Sequence, residues 1–208
     1  MFDHDGVLVD SLEVFTAAFA AACRAHGHAE IAGRAQVVEL FDDNVYDSMA
    51  ALGMGREVIR AVIDDTAAVL AVSPDLHPFA GVPALLAGLV ARFDVVVITS
   101  NAGGVVRDFL VRERLDGFVS DVLGVEVDVS KVRKIAAVMA RYPDRPRSCY
   151  VGDTRGDMIE GAQAGATPLG AGWGWHGAAA LRQAGAAYVA ATPAELLAYV
   201  MDGVSAAR

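Results

Sequence analysis

The sequence predicts an α/β fold, a doubly wound parallel sheet carrying one inserted helical block. Three observations lead there. Residues Phe93-Asp94-Val95-Val96-Val97-Ile98-Thr99 are β-branched and almost continuously apolar, as in a strand buried on both faces of a parallel sheet. Beyond residue 80, strand-like and helix-like segments alternate, as βα units require. Between residues 10 and 78 no strand-like alternation occurs, so a wholly helical stretch follows the first strand.

Residues 1–9, Met-Phe-Asp-His-Asp-Gly-Val-Leu-Val, predict a strand end and a turn. Asp10 and Glu13 have the spacing of a capping box and predict a helix start. Phe15, Phe19 and Cys23 recur four apart within an alanine-rich run over 12–26, which suits an amphipathic helix. Helical patterns continue over 34–71, broken near Gly53 and Gly55. The segment from Pro78 to Pro83 marks a boundary, and Pro83 fits the first turn of a helix reaching Arg92. After the strand at 93–99 come a helix near 103–114, a strand at 118–122 and a helix at 132–142. A strand at 148–151, a helix at 158–164 and a strand at 167–171 follow. A last strand passes through Tyr188 and Val189, and a helix over 193–201 closes the chain. The expected domains are a core of residues 1–9 and 79–208 and a helical domain of residues 10–78.

Composition narrows the function classes. Apolar residues make up 54% of the 208, enough for a sizeable core. The 26 acidic residues outnumber the 17 basic ones, for a net charge of −9. That balance argues against nucleic-acid or anionic-membrane partners, which need a basic face. Cys23 and Cys149 are too few for a disulfide framework and read as free thiols. No basic leader opens the chain, and no apolar run reaches the length of a membrane span, so a cytoplasmic protein is expected.

In a doubly wound sheet, ligands bind at the carboxyl ends of the strands. Four such ends carry reactive groups: Asp3-His4-Asp5-Gly6, Thr99-Ser100-Asn101, Lys131, and Gly152-Asp153-Thr154-Arg155-Gly156-Asp157. Each is ordinary taken singly. Asp formers sit in many turns, Thr99 can end a strand, and Lys131 alone would read as a surface lysine. Together they place carboxylates, a hydroxyl and an ammonium on one rim. Carboxylates bind a hard divalent cation such as Mg²⁺. One Asp can attack phosphorus, and a second, two residues on, can protonate the leaving oxygen and then activate water. A hydroxyl and an ammonium can bind phosphoryl oxygens in the transition state.

The segment Phe2-Asp3-His4-Asp5-Gly6-Val7-Leu8-Val9-Asp10-Ser11 resembles the first motif of the haloacid dehalogenase superfamily, a strand followed by DxDGxLxDS. Val97-Ile98-Thr99 resembles the second motif, Ser130-Lys131-Val132-Arg133-Lys134-Ile135 the third, and Val151-Gly152-Asp153-Thr154-Arg155-Gly156-Asp157 the GDxxxD fourth. The first and fourth are specific, the others weak alone, and the likeness spans essentially the whole chain. It implies a Rossmann-like core with an inserted helical cap and a Mg²⁺-dependent phosphatase like phosphoglycolate phosphatases. The substrate implied is a small phosphate monoester, phosphoglycolate-like or a sugar phosphate, and the state a monomer or homodimer. By the same resemblance Asp3 is the nucleophile and a metal ligand. Asp5 is the general acid/base and gives its backbone carbonyl to the metal. Thr99, Ser100 and Asn101 bind the phosphoryl group. Lys131 balances charge, with Lys134 as its rival. Asp153 completes the metal shell, and Asp157 is a further ligand or supports one. The alternatives are a sugar-phosphate mutase or other phosphotransferase on the same core, and a binding protein that retains the fold.

Two departures from the motif stand out. Only Met1 and Phe2 precede Asp3, which implies a truncated first strand or a start internal to a longer product, a loosely held nucleophile, and the Met1 ammonium near the carboxylates. His4 occupies a slot that usually holds an apolar or aromatic residue, and is expected to be structural. His77 lies near the hinge and reads as a structural residue in preference to a substrate contact. His26 and His28 read as helix-end residues, Asp42-Asp43-Asn44 as a solvated turn in preference to a loop facing the core, and Trp173-Gly174-Trp175-His176 as loop packing near the rim.

Overall fold

The computed structural model describes residues 1–143 and 148–205. Helices α1 (Leu12–Ala25), α2 (Arg34–Glu39), α3 (Val45–Ala51) and α4 (Arg56–Val72) come first. After α5 (Val82–Leu89) the chain alternates: β1 (Val96–Ile98), α6 (Gly103–Arg112), β2 (Asp121–Leu123), α7 (Lys131–Arg141), β3 (Cys149–Gly152) and α8 (Arg155–Gln163). Then follow β4 (Thr167–Ala171), α9 (Gly177–Gln183), β5 (Tyr188–Ala190) and α10 (Pro193–Ser205). Every strand pairing is parallel: β1 with β2, β3 with β4, and β4 with β5.

The slot between β1 and β3 is filled by the first residues of the chain. Phe2 bridges Val97 on one side and Val151 on the other. Its N–H donates to the Val96 carbonyl at 2.9 Å and its carbonyl accepts from Ile98 N–H at 2.8 Å. Asp3 N–H donates to the Val151 carbonyl at 2.8 Å, and the Met1 carbonyl accepts from Val151 N–H at 3.0 Å. The nucleophile candidate is therefore gripped from both sides, against the expectation of loose seating. The Met1 ammonium is also at the opposite end of β3 from Asp153. It donates to the Cys149 carbonyl at 2.8 Å, at the amino end of β3, whereas Asp153 follows the carboxyl end. At about 3.3 Å per strand residue the two lie ~13 Å apart. Burial there lowers the ammonium pKa to about 6.

Side chains alternate across the sheet as strand geometry dictates. Phe2, Val97, Val151 and Leu169 join the larger core with Phe19, Leu85 and Leu86. Val96, Ile98, Leu123 and Tyr150 face the other way, against Ile135 and Val138 of α7. Both faces of the sheet are thus buried, which is why the strand at 93–99 reads as an unbroken apolar run.

The chain leaves the sheet and returns at one place. Asp10 N–H donates to the His77 carbonyl at 3.0 Å, Phe79 N–H to the Leu8 carbonyl at 3.1 Å, and Val9 bridges Pro78 in antiparallel sense. Between those points α1 and α4 pack on each other. The expected capping box does not form. Ser11, not Asp10, occupies the cap position of α1, without a side-chain cap bond, and Glu13 accepts from Arg34 at 2.7 Å. Phe15, Phe19 and Cys23 lie on the buried stripe of α1. Helix α9 was not foreseen, because its alanine run between glycines shows little apolar periodicity.

Candidate active site

Each reactive group sits where a strand gives way to the next segment. Asp3 leaves the sheet into a turn in which the His4 carbonyl accepts from Leu8 N–H at 2.9 Å and Val9 N–H at 3.2 Å. Gly6 takes φ of 75°, and a Cβ there would collide with the Asp153 carboxylate and with Trp175. A side chain is thus excluded twice, by backbone conformation and by space. His4 turns away from the rim and packs edge-on against Phe109, with ring centroids 5.0 Å apart.

Lys131, the first residue of α7, has its Nζ 2.6 Å from Asp3 Oδ2 and 2.7 Å from Asp157 Oδ1. All three side chains are almost wholly buried. Lys134, one turn on, does not reach the carboxylates. Its Nζ donates to the Thr99 carbonyl at 2.5 Å and lies 3.3 Å from the Gly124 carbonyl, and burial lowers its pKa to about 8. The one-turn difference within α7 separates an ammonium that faces the carboxylates from one that ties two strand ends together.

Asp157 is held from every side. Its Oδ1 also accepts from the Tyr150 hydroxyl at 3.1 Å. Its Oδ2 accepts from the Thr154 hydroxyl at 2.8 Å, Thr154 N–H at 3.1 Å and Asp153 N–H at 3.2 Å. Thr154 in turn accepts from Asp157 N–H, which completes a capping box at the start of α8. Asp153 Oδ2 accepts from Trp175 N–H at 2.8 Å, whereas its Oδ1 is buried without a hydrogen-bond partner.

One ammonium against three buried carboxylates leaves the site electron-rich. Burial pushes the Asp3 carboxyl up to about 7, only partly opposed by Lys131. Burial, with Asp157 and Asp3 beside it, holds Asp153 well above the carboxylate range. Asp157 stays below that range, because the Lys131 charge and the Thr154 bonds outweigh its burial. Burial alone would lower the Lys131 pKa, but Asp157 and Asp3 raise it. Oxygens of Asp3, Asp153 and Asp157 lie within 4.8 Å of one another. Hard oxygen donors, excess negative charge and the orphaned Asp153 Oδ1 fit a divalent cation.

The Asp5 carboxylate stands outside this trio, and its Oδ2 accepts from Asn101 Nδ2 at 3.3 Å. Thr99 is buried, and its Oγ1 accepts from Asn101 N–H at 3.0 Å, leaving its own O–H free to donate elsewhere. The Ser100 carbonyl accepts from the Tyr46 hydroxyl at 3.1 Å. Asp3, Asp5, Thr99, Ser100, Asn101 and Lys131 all line one chamber with Thr154, whereas Asp153 and Asp157 lie beneath its floor.

The opposite wall comes from the helices. Phe15, Phe41, Val45, Ile63, Ala67 and Leu70 face the chamber, with Thr66 among them and Trp175 at the side. Phe15 and Phe41 each pack against Trp175, at 4.9 and 5.2 Å between centroids. The expectation of a solvated turn at Asp42-Asp43-Asn44 holds for the exposed Asp42 and Asp43 side chains but not for Asn44. Asn44 Nδ2 donates to the buried Glu160 at 2.9 Å, and the Asp43 and Phe41 carbonyls press on Gly156 so closely that a Cβ would not fit. His77 does not line the chamber; its imidazole is exposed, 3.9 Å from Glu113. Tyr46 and Glu160 escaped the sequence reading, because their pairings, with Ser100 and Asn44, join positions more than fifty residues apart.

A strand-end carboxylate rim below an inserted helical wall defines a class of enzyme. Residues 1–171 match the model of the haloacid dehalogenase-like hydrolases, and the chain belongs to that family. It is 28% identical, over 95% of its length and 94% of the relative's, to the phosphoglycolate phosphatase of Synechococcus elongatus. A protein from Clostridium acetobutylicum described as a predicted phosphatase shares its fold at a TM-score of 0.82 and 21% identity, over 97% of this chain and 96% of that one. A hydrolase from Pseudomonas syringae superposes at a TM-score of 0.75 and 20% identity, over 97% and 96%. No helix among the described residues is long and apolar enough to cross a membrane.

Proposed function

We propose that this chain is a Mg²⁺-dependent phosphatase that hydrolyses a small phosphate monoester through an aspartyl-phosphate at Asp3, in the cytoplasm. In this reading residues 10–78 are a cap domain on a core of residues 1–9 and 79–208. The observation that carries it is the buried trio of Asp3, Asp153 and Asp157 joined to Lys131 at the carboxyl ends of the strands.

Asp3 Oδ attacks phosphorus as the ester P–O bond breaks, and Asp5 gives its proton to the leaving oxygen. Asp5 then takes a proton from water as that water attacks phosphorus, and the Asp3–phosphorus bond breaks to release phosphate. The Thr99 hydroxyl, with Ser100 and Asn101 beside it, donates to the phosphoryl oxygens. Lys131 keeps Asp3 oriented and offsets its charge. Asp3, Asp153 and the Asp5 backbone carbonyl would hold the cation, while Asp157 completes the set and fixes both Lys131 and the Asp153 turn. Bound Mg²⁺ supplies the positive charge that holds these carboxylates ionised and neutralises the phosphoryl group.

The Synechococcus relative's name makes 2-phosphoglycolate the first natural ester to assay, beside p-nitrophenyl phosphate. Phosphate release from p-nitrophenyl phosphate is expected with Mg²⁺, and is expected to vanish with EDTA and in Asp3→Asn. Turnover that survives Asp3→Asn contradicts the nucleophile assignment.

A further inference from the structure

We infer that the leaving group this chamber accepts is an uncharged, apolar alcohol, aryl or branched alkyl, and that carboxylate-bearing and polyhydroxy esters are rejected. The inference rests on the phosphatase reading and names its substrate class.

The helical wall offers a leaving group neither charge nor hydrogen bonds. Phe15, Phe41, Val45, Ile63, Ala67 and Leu70 have no polar side-chain atom. Thr66 does, but its hydroxyl already donates to the Val62 carbonyl at 2.7 Å. Tyr46, behind Val45, has likewise given its hydroxyl to the Ser100 carbonyl. A sugar's hydroxyls turned toward this wall would leave water for aliphatic and aromatic faces, the unpaired Trp175 Nε1–H at the side being the one spare donor of its aromatic groups, and buried polar groups without partners are costly.

Cations are missing in the same way. Residues 10–78 contain no lysine and four arginines, Arg24, Arg34, Arg56 and Arg60, all exposed. Arg34 pairs with Glu13 and Arg60 lies 3.6 Å from Asp64. Among the described residues Lys131 is the single cation lining the chamber, and Asp3 and Asp157 take two of its donors. Lys134 points at carbonyls, and Arg155 lies 3.6 Å from Asp42. His176 accepts from Arg155 N–H through Nδ1, so Nε2 carries the proton and donates to the Val38 carbonyl. It is a neutral group.

The test compares esters matched in reactivity. Benzyl phosphate and 4-carboxybenzyl phosphate differ at a group remote from the reacting oxygen, and 2-phosphoglycolate is assayed beside them with Mg²⁺. The kcat/KM for benzyl phosphate is expected to exceed both others by about 100-fold, the scale on which unpaired burial of a charge discriminates. An equal or reversed order overturns the inference while leaving the phosphatase reading intact. Failure to hydrolyse any ester, p-nitrophenyl phosphate included, overturns that reading and the inference with it. A second arm places a cation on the wall. In Ala67→Arg the ratio of benzyl phosphate to its 4-carboxy analogue is expected to fall about tenfold. An unchanged ratio in a folded variant shows that the leaving group does not meet this wall, and counts against the inference.

Discussion

The rim at the strand ends and the wall of helices face each other across one chamber, and they are built on opposite principles. The rim buries four ionisable groups, Asp3, Lys131, Asp153 and Asp157, and pairs three of them through Lys131, while the Asp153 carboxylate takes Trp175 N–H and keeps one oxygen unpaired. The wall is aliphatic and aromatic, and its one hydroxyl is turned back onto its own helix. The rim gains its strength from low dielectric, where paired charges act strongly and unpaired ones are expensive. The wall gains by taking apolar surface out of water, about 25 cal/mol per Å². In the proposed reading the contrast divides the labour: reaction at the phosphoryl group belongs to the rim, and choice of leaving group to the wall.

Lys131→Met breaks the rim hardest. It removes the one cation between Asp3 and Asp157, leaving buried carboxylates uncompensated, and is expected to cost about 3–5 kcal/mol of stability. Turnover is expected to fall about 10²- to 10³-fold. Urea unfolding and phosphate release read the two effects, and a loss confined to stability would remove Lys131 from the reaction. Asp5→Asn is expected to lower kcat by about 10²- to 10⁴-fold while Mg²⁺ affinity stays nearly constant, since its carboxylate is outside the trio. Equal losses in kcat and in Mg²⁺ binding, followed by calorimetry, would contradict an acid/base role.

The smallest effect lies on the seam between the two regions. Burial depresses the His176 pKa below 6.5, so the unfolded chain binds the proton more readily than the folded one. That stability is fully present above pH 6.5 and is lost as pH falls through the folded-state value. Between pH 7.5 and 5.5 the melting temperature of the native chain is expected to shift downward relative to that of His176→Gln. Identical shifts in the two proteins would assign the acid sensitivity to other groups.

The rim was largely legible in the sequence because strand ends are local features. A β-branched run ending in Thr99, or Tyr150-Val151 ending in Gly152-Asp153, marks both the strand and the position of the residue that follows it. Lys131 precedes the helix that the sequence predicts over 132–142 and Lys134 lies one turn inside it, and the structure shows what that difference means in where each ammonium points. The wall was less legible. The Phe15 and Phe19 stripe announces a helix with a buried face, but not that Phe15 faces a chamber with Trp175 and Phe41. Asn44 looked like part of a polar turn because its partner, Glu160, lies 116 residues away. The capping box at Asp10 failed for a similar reason. Asp10 belongs to the backbone pairing with His77 where the chain leaves the sheet, and tertiary pairing overrode the local signal.

Quenching a single turnover in acid tests the account most directly. The enzyme is mixed with benzyl phosphate and Mg²⁺, stopped during the first turnover, digested and read by mass spectrometry. The account predicts a phosphoryl group on the peptide that carries Asp3, absent in Asp3→Asn. A phosphoryl group on another residue, or full release of benzyl alcohol with none bound to the protein at any time point, would contradict it.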